Sequence, residues 1–301
     1  GIGRSVAMLL ASEGANVVVN DLGGGVDGTE ASGTPADEVV REIRASGGTA
    51  VPCYDSVADF ESAGKIVQTA IDSFGRLDVL CNAAGILRDR MIFNMTEEEW
   101  DGVLKVHLYG AFNIVRNSVP YMISQRYGRI VLFSSSSGLG AAGQSNYASA
   151  KEGMVGFARS LAKELALDGI TINAVYPAAH TRMTATLPES TLHLLRAQEQ
   201  GLPGGGLGPS ELLTTPEPEE ALDPENNAPK IVYLCSEPGG AVTGQVIGTG
   251  GWSMSLFSPR RVSKSIHKNG RWTLGELERL VPTSLTADLV NPAPSEPPRE
   301  R

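Results

Sequence analysis

The chain has little cysteine, no surplus of positive charge and no long hydrophobic run. Its three cysteines, Cys53, Cys81 and Cys235, are too few and too scattered for a disulfide framework or a metal-ligand spacing, which fits a reducing compartment. The 25 basic and 34 acidic side chains give a net charge of −9, which argues against a nucleic-acid partner. No apolar run approaches the roughly 18 residues of a membrane-spanning helix. We therefore expect a cytoplasmic protein without a membrane partner.

What the sequence does contain is a regular alternation of strand-like and helix-like segments. With 301 residues and 41% hydrophobic content, the chain is long enough for one large α/β domain. Strand-like apolar runs lie at residues 16–20, 49–54, 77–81, 129–133, 170–175 and 245–248. This alternation predicts an α/β fold with a doubly wound parallel sheet, whose ligands bind at the carboxyl ends of the strands.

The first residues form a glycine-rich turn that leads into a helix predicted over residues 4–13. Gly1-Ile2-Gly3 is half of a dinucleotide fingerprint, in which glycines let backbone N–H groups reach a pyrophosphate, although the pattern is also common in ordinary turns. Asp21 ends the next strand, where a carboxylate accepts hydrogen bonds from adenosine ribose hydroxyls and repels a 2′-phosphate. This favours NAD over NADP. The alternative for Asp21 is turn chemistry before the glycines that follow it.

The strongest chemical signal is a tyrosine and a lysine four residues apart on a predicted helix, Tyr147 and Lys151. This spacing puts both side chains on one helix face, although chance alone also produces it. The strand over 129–133 runs into the serines Ser134 to Ser137, which places a hydroxyl beside Tyr147. The alternatives are a solvated lysine and a serine capping loop.

These side chains suit proton transfer to or from an alcohol oxygen. A free phenol has a pKa of about 10, and lowering it by about three units takes roughly 4 kcal/mol. A lysine ammonium about 4 Å away supplies about that much at an effective dielectric near 20. The sequence therefore predicts Tyr147 as the acid and base, Lys151 as the group that lowers its pKa, and Ser135 as the group that holds the substrate oxygen.

Taken together, these residues resemble the short-chain dehydrogenase/reductase family over nearly all of residues 1–251. The resemblance implies a Rossmann-like domain with NAD(P)-dependent alcohol and ketone chemistry, assembled as a homodimer or homotetramer. It implies cofactor contacts from Gly1, Ile2, Gly3, Asp21, Asp55, Ser56, Asn82, Ala83, Ala84, Gly85, Tyr147, Lys151, Pro177 and Thr181. The first strand of that fold lies in the middle of the sheet. Because the chain starts within the cofactor motif, we expect it to be truncated, with a central gap in the sheet.

Within the family the chain is most similar to (3R)-hydroxyacyl-CoA dehydrogenase domains of peroxisomal multifunctional enzymes. The strings that carry this similarity include residues 84–90 and 106–108. It implies that His107 replaces the family's catalytic asparagine, where it either supports a water chain behind Lys151 or is a packed helix residue. Counting from the family's S-x-x-G pattern gives Ser135 as the catalytic serine, and counting from Tyr147 gives Ser134; we favour Ser135.

We expect an NAD-dependent enzyme that oxidises a secondary alcohol to a ketone, with a 3-hydroxyacyl-CoA, a hydroxysteroid or a similar substrate. The alternatives are an NADPH-linked 3-oxoacyl reductase and a non-catalytic NAD-binding or oligomerisation module. The catalytic domain is predicted over 1–256, with a lid or a plain surface loop at about 183–229. A C-terminal extension is predicted over 257–286 and a disordered tail over 287–301.

Overall fold

The computed structural model describes residues 1–29, 34–181 and 219–289. The strands are β1 (Asn16–Asn20), β2 (Thr49–Cys53), β3 (Val79–Asn82), β4 (Gly128–Phe133), β5 (Ile170–Tyr176), β6 (Val246–Gly248) and β7 (Ser255–Leu256). The helices are α1 (Ile2–Ser12), α2 (Thr34–Ala45), α3 (Phe60–Phe74), α4 (Glu97–Leu104), α5 (Gly110–Gln125), α6 (Ser145–Glu164), α7 (Ala228–Cys235) and α8 (Leu274–Leu280). A π-helical turn, Lys105–Tyr109, joins α4 to α5.

The strands form a parallel α/β arrangement that is divided into two sheets. Strand β1 pairs with β2, and the second sheet has the order β3-β4-β5-β6-β7. All pairs are parallel except β6 with β7. The expected α/β fold is confirmed, and in the described part of the chain the sheet is interrupted between β1 and β3, where we expected a central gap.

Helices cover both faces of the larger sheet, which gives the doubly wound arrangement. On one face, α3, α5 and α6 pack on β4 and β5 around Met122, Ile130 and Ile172, all of which are buried. On the other face, α1 and α7 pack around Val131, Val175 and Ile231. Both faces of β4 and β5 are therefore buried, which explains why these strands read as continuous apolar runs rather than alternating ones.

Helix α1 connects the two sheets. Its residues Val6 and Leu9 pack in the cluster that includes β3 side chains, whereas Ala11 packs with Val17 of β1 and Ile43 of α2. These apolar contacts on both sides fix α1 between the two sheets.

The C-terminal part is anchored to the domain by β7 and by an aromatic contact. The ring of Phe257 lies 4.9 Å from the ring of Tyr176 in an edge-on arrangement. Helix α8 then begins at a capping box in which Thr273 and Glu276 satisfy each other's backbone N–H groups. Most of the predicted lid (183–218) and the end of the predicted tail (290–301) lie outside the described residues.

In the part of the chain that the structure describes, no helix is both long and apolar enough to cross a membrane.

Candidate active site

The candidate site lies at the carboxyl ends of the parallel strands, where several polar side chains meet. Asp21 follows β1, Asn82 ends β3, and Ser134 follows β4. Because parallel strands end at the same edge of a sheet, the fold brings these positions to one side of the molecule. Helix α6 brings Tyr147 and Lys151 to the same edge, since its first turns pack on the turn after β4.

Tyr147 and Lys151 lie together on the buried face of α6. Tyr147 is 9% exposed and Lys151 is 4% exposed. The Lys151 Nζ lies 5.2 Å from the centroid of the Tyr147 ring and donates a hydrogen bond to the carbonyl oxygen of Phe133. The predicted i, i+4 pair is therefore formed, and its lysine is buried rather than solvated.

The two candidate serines have different environments. The Ser134 Oγ is buried and donates to the Lys151 carbonyl oxygen at 2.6 Å, so it ties β4 to α6. The Ser135 Oγ accepts from the Ser137 N–H at 3.1 Å, and its hydroxyl hydrogen-bonds with the Tyr147 side chain. The geometry thus places Ser135, and not Ser134, beside the phenol.

Burial shifts the pKa values of both members of the pair. Burial raises the pKa of Tyr147 to about 12, and Asp89 adds to this while the Ser135 hydrogen bond opposes it. Burial also lowers the pKa of Lys151 to about 7. Both shifts have the same cause, since water is excluded from both groups, which favours the neutral form of each. That Lys151 lowers the phenol pKa stays a prediction.

His107 is a packed residue on the π-helical turn, and its ring also contacts the site. Its Nε2 lies 2.8 Å from the Ile86 carbonyl oxygen, and the ring packs edge-on against Tyr147 with centroids 5.0 Å apart. Burial and the neighbouring Lys151 hold its pKa well below the usual range, so the imidazole is neutral. Its buried Nδ1 has no hydrogen-bond partner in the described part of the chain.

Gly85 makes the position of His107 possible. A Cβ atom added at Gly85 would lie 2.4 Å from the His107 Cε1, closer than any side chain tolerates. The segment after β3 therefore needs a glycine here so that the imidazole can lie between the Ile86 backbone and the phenol.

Comparison with known proteins identifies the family. The family model described as short chain dehydrogenase matches residues 1–191. The chain belongs to the short-chain dehydrogenase family. It is therefore an oxidoreductase that acts on CH–OH groups, and the family implies an NAD(P) cofactor.

Individual relatives of this short-chain dehydrogenase agree with that assignment. This chain is 47% identical over 238 residues to a short-chain type dehydrogenase/reductase of Mycobacterium tuberculosis, and the match covers 79% of this chain and 74% of that protein. It is 40% identical over 261 residues to peroxisomal multifunctional enzyme type 2 of Drosophila melanogaster, covering 86% of this chain but only 39% of that enzyme. The crystal structure of a short chain dehydrogenase from Mycobacterium avium superposes with a TM-score of 0.78 at 38% identity, covering 98% and 93% of the two chains.

The glycine-rich end of this short-chain dehydrogenase fits a dinucleotide. No side chain caps the N-terminus of α1 at Gly1, and a helix N-terminus attracts anions. A Cβ on Gly3 would lie 3.4 Å from the Ala83 Cβ, and one on Gly1 would lie 3.9 Å from the Thr181 Cγ2. The predicted turn at Gly1-Ile2-Gly3 is thus the first turn of α1, and the fold brings it against both of these predicted cofactor residues.

The remaining predicted cofactor residues lie on loops around the same edge. The Asp21 Oδ1 accepts from the Gly23 N–H at 2.6 Å, so the turn chemistry considered above is present and the carboxylate is still exposed. Asp55 and Ser56 follow β2 and are held by the Ser62 hydroxyl. Three others lie at strand ends: Asn82 is the buried last residue of β3, Ala84 lies two residues beyond it, and Pro177 directly follows β5.

Two polar groups at this site, Asn20 and Asp89, are not among the residues predicted from the sequence. Asn20 exchanges two 3.0 Å hydrogen bonds with the Asp55 backbone and so aligns the ends of β1 and β2. The Asp89 Oδ2 accepts from Gln144 at 2.8 Å, and burial raises the pKa of Asp89. The position of Asn20 beside Asp21 is a sequence signal from which its role could have been suspected. Nothing in the local sequence indicates that Asp89 lies near Tyr147.

Metal chemistry has no evident donor set here. Within residues 1–29, 34–181 and 219–289, no three His, Cys, Asp or Glu side chains are grouped so that they could hold a metal ion.

Proposed function

We propose that this short-chain dehydrogenase oxidises a secondary alcohol to a ketone with NAD as its cofactor. The observation that carries the proposal is the buried phenol of Tyr147 between Ser135 and Lys151 at the carboxyl end of β4. NAD, when bound, supplies the chemistry of hydride acceptance from the carbinol carbon. The rest of the reaction is proton transfer at the alcohol oxygen, for which the chain's own residues are arranged.

Each residue of the trio has a distinct part in this proposal. Ser135 donates a hydrogen bond to the substrate oxygen and orients it toward Tyr147. The Tyr147 oxygen takes the hydroxyl proton during oxidation and returns it during reduction. Lys151, when protonated, stabilises the phenolate and also holds the nicotinamide ribose. His107 supports the ring of Tyr147 from its edge.

The distances indicate how far Lys151 alone can activate the phenol. With the ammonium 5.2 Å from the ring centroid and an effective dielectric near 20, its attraction for a phenolate is about 3 kcal/mol, or about two pKa units. This attraction acts only while Lys151 is protonated, and its pKa of about 7 leaves it neutral at the pH where a phenol with a pKa of about 12 ionises. Because the phenol keeps its proton to high pH, we expect alcohol oxidation to be faster at alkaline pH and ketone reduction to be faster near neutrality.

Cofactor choice rests on Asp21. Its carboxylate is exposed at the end of β1, where it would accept from ribose hydroxyls and repel a 2′-phosphate. We expect NAD to bind more tightly than NADP, and Asp21→Ala to reduce this difference. Asp72→Ala, at an exposed position on α3, is the matched control that leaves the preference unchanged.

The proposed substrates are a 3-hydroxyacyl-CoA, a hydroxysteroid or a similar secondary alcohol. The similarity to peroxisomal multifunctional enzyme type 2 supports this choice, and residues 84–90 and 106–108 carry the resemblance to its dehydrogenase domain. The test is NADH formation at 340 nm with 3-hydroxybutyryl-CoA, steroid alcohols and simple secondary alcohols, each with NAD and with NADP. Activity only with NADPH and a 3-oxoacyl thioester would replace the proposal by a reductase. Cofactor binding without turnover on any substrate would replace it by a non-catalytic module.

The proposed enzyme is a homo-oligomer. Helices α3, α5 and α6 present a run of partly exposed aromatic rings, with the Phe112 ring 6.3 Å from Phe60 and 6.5 Å from Phe157. Exposed aromatic clusters of this kind mark protein interfaces. We expect a homodimer or homotetramer by light scattering, and Phe112→Glu to shift it toward monomer. A monomeric wild-type protein at all concentrations would exclude this assembly.

A further inference from the structure

Two cysteines far apart in the sequence meet inside the fold. Cys81 lies on β3 and Cys235 is the last residue of α7, so 154 residues separate them. Their sulfur atoms are only 3.5 Å apart, within the range of an S–H···S hydrogen bond. Both are free thiols, and the proposed reaction uses neither.

The surroundings of this pair are apolar. Cys81 and Cys235 belong to the cluster in which β3, β4 and α7 pack on α1, with Val131 and Leu234 among its buried members. The Cys235 hydrogen bond and burial hold the pKa of Cys81 well above its usual range. The third cysteine, Cys53, lies on β2, and its sulfur contacts Asp55 and Thr69 instead. The chain therefore contains one close dithiol and one separate thiol, which serves as an internal control.

Only a small movement separates the two sulfur atoms from bonding distance. A disulfide bond is about 2.05 Å long, so the sulfur atoms have to approach by about 1.5 Å. Cys235 is the last residue of α7, and Cys81 lies on the outermost strand of the larger sheet. Cys81 is the more exposed residue of the two.

We propose that Cys81 and Cys235 form a reversible intramolecular disulfide when the protein meets a small disulfide or a peroxide. With a disulfide oxidant, the thiolate of one cysteine attacks and releases a thiol. The second cysteine then attacks the mixed disulfide and releases the other thiol, so the two protein thiols lose two electrons and two protons to the oxidant. With hydrogen peroxide, a sulfenic acid and one water form first, and the second thiol then displaces another water.

The reaction is expected to be slow at neutral pH and faster in alkali. Attack needs a thiolate, and the raised pKa of Cys81 keeps its thiolate fraction small at pH 7. Once one sulfur has reacted, the partner at 3.5 Å competes effectively with further oxidation, so the end product is a disulfide and not a sulfinic acid.

The test counts free thiols by alkylation and intact mass after treatment with oxidised glutathione, a small disulfide, or with hydrogen peroxide. The wild-type protein should fall from three alkylated cysteines to one, lose two hydrogens in mass, and recover three after reduction. Peptide mapping should join Cys81 to Cys235. Cys53→Ala should still lose both of its thiols, whereas Cys81→Ala and Cys235→Ala should each keep two.

A second measurement does not depend on oxidation or on the folding of a variant. Phenylarsine oxide joins two neighbouring thiols through one arsenic atom and releases one water. The untreated wild-type protein should therefore bind one equivalent and lose two free thiols. Three alkylated cysteines after oxidant, a disulfide that includes Cys53, a bond between two chains, or no arsenical uptake by the folded protein would each overturn the proposal.

Discussion

The buried lysine makes the stability of this protein depend on pH in a way that can be calculated. Burial lowers the pKa of Lys151 from 10.5 to about 7, whereas in the unfolded chain it returns to about 10.4. Between these values the unfolded state binds one more proton than the folded state. The free energy of unfolding therefore rises with pH through this window, by at most about 1.4 kcal/mol per pH unit. Below pH 7 the protein carries the full cost of charging a buried amine, about 5 kcal/mol.

The test replaces the amine by an apolar chain of similar length, Lys151→Met. We expect the variant to unfold at a higher urea concentration than the wild type at pH 7, and its advantage to shrink by about 2 kcal/mol between pH 7 and pH 9. Urea unfolding at constant ionic strength, at pH 7, 8 and 9, measures this difference. Tyr147 does not interfere in this range, because its raised pKa of about 12 costs stability only as the pH rises past about 10.

Lys163→Met provides the matched control, because Lys163 lies on the same helix and is exposed. Its difference from the wild type should stay constant over the same pH range. If the Lys151→Met difference were equally constant, Lys151 would be solvated or paired, and the argument from burial would be wrong.

Three further substitutions test the packing that holds the site. Gly85→Ala should lower the free energy of unfolding by about 1–3 kcal/mol and reduce turnover, because the added Cβ displaces His107. An unchanged midpoint of urea unfolding would contradict that packing. Met122→Ala should lower the free energy of unfolding by about 2–5 kcal/mol, since the Met122 side chain is fully buried under β4. A loss below about 1 kcal/mol would mean that the Met122 side chain is exposed to solvent. Thr96→Ala should lower the free energy of unfolding by about 0.5–2 kcal/mol because it removes the capping box of α4, whereas Thr96→Ser should keep most of the stability. Equal losses in the two variants would contradict the capping role of the Thr96 hydroxyl.

The regular elements near the site could be predicted because their signals are local. The apolar run 16–20 is β1 as expected, and the helix predicted to carry Tyr147 and Lys151 is observed at Ser145–Glu164. The strand predicted at 77–81 is observed at Val79–Asn82 instead. Its first residue differs because both backbone groups of Leu77 are bonded by the Gln125 side chain, a contact over 48 residues that no local pattern reveals.

Other features were missed for reasons that differ. Helix α8 carries a visible signal, Thr273 followed by Glu276, and could have been found from its capping box. The π-helical turn at Lys105–Tyr109 has no such signal. It adjoins Gly110, where a Cβ would lie 2.8 Å from the Val57 side chain, so tertiary packing constrains the backbone there. The polarity of a site is predictable from sequence, but its acid–base behaviour is not, because burial is a property of the fold.

The central claim is that the Tyr147 oxygen transfers the substrate proton, and Tyr147→Phe tests it most directly. The variant keeps the buried ring and its contact with His107 while removing only the hydroxyl. Tyr109→Phe, at an exposed position, is the control. With a substrate found in the panel, kcat/KM should fall by at least about 100-fold in Tyr147→Phe with cofactor affinity nearly unchanged, and should stay at the wild-type value in the control. Equal kcat/KM values in the wild type and Tyr147→Phe would contradict the account.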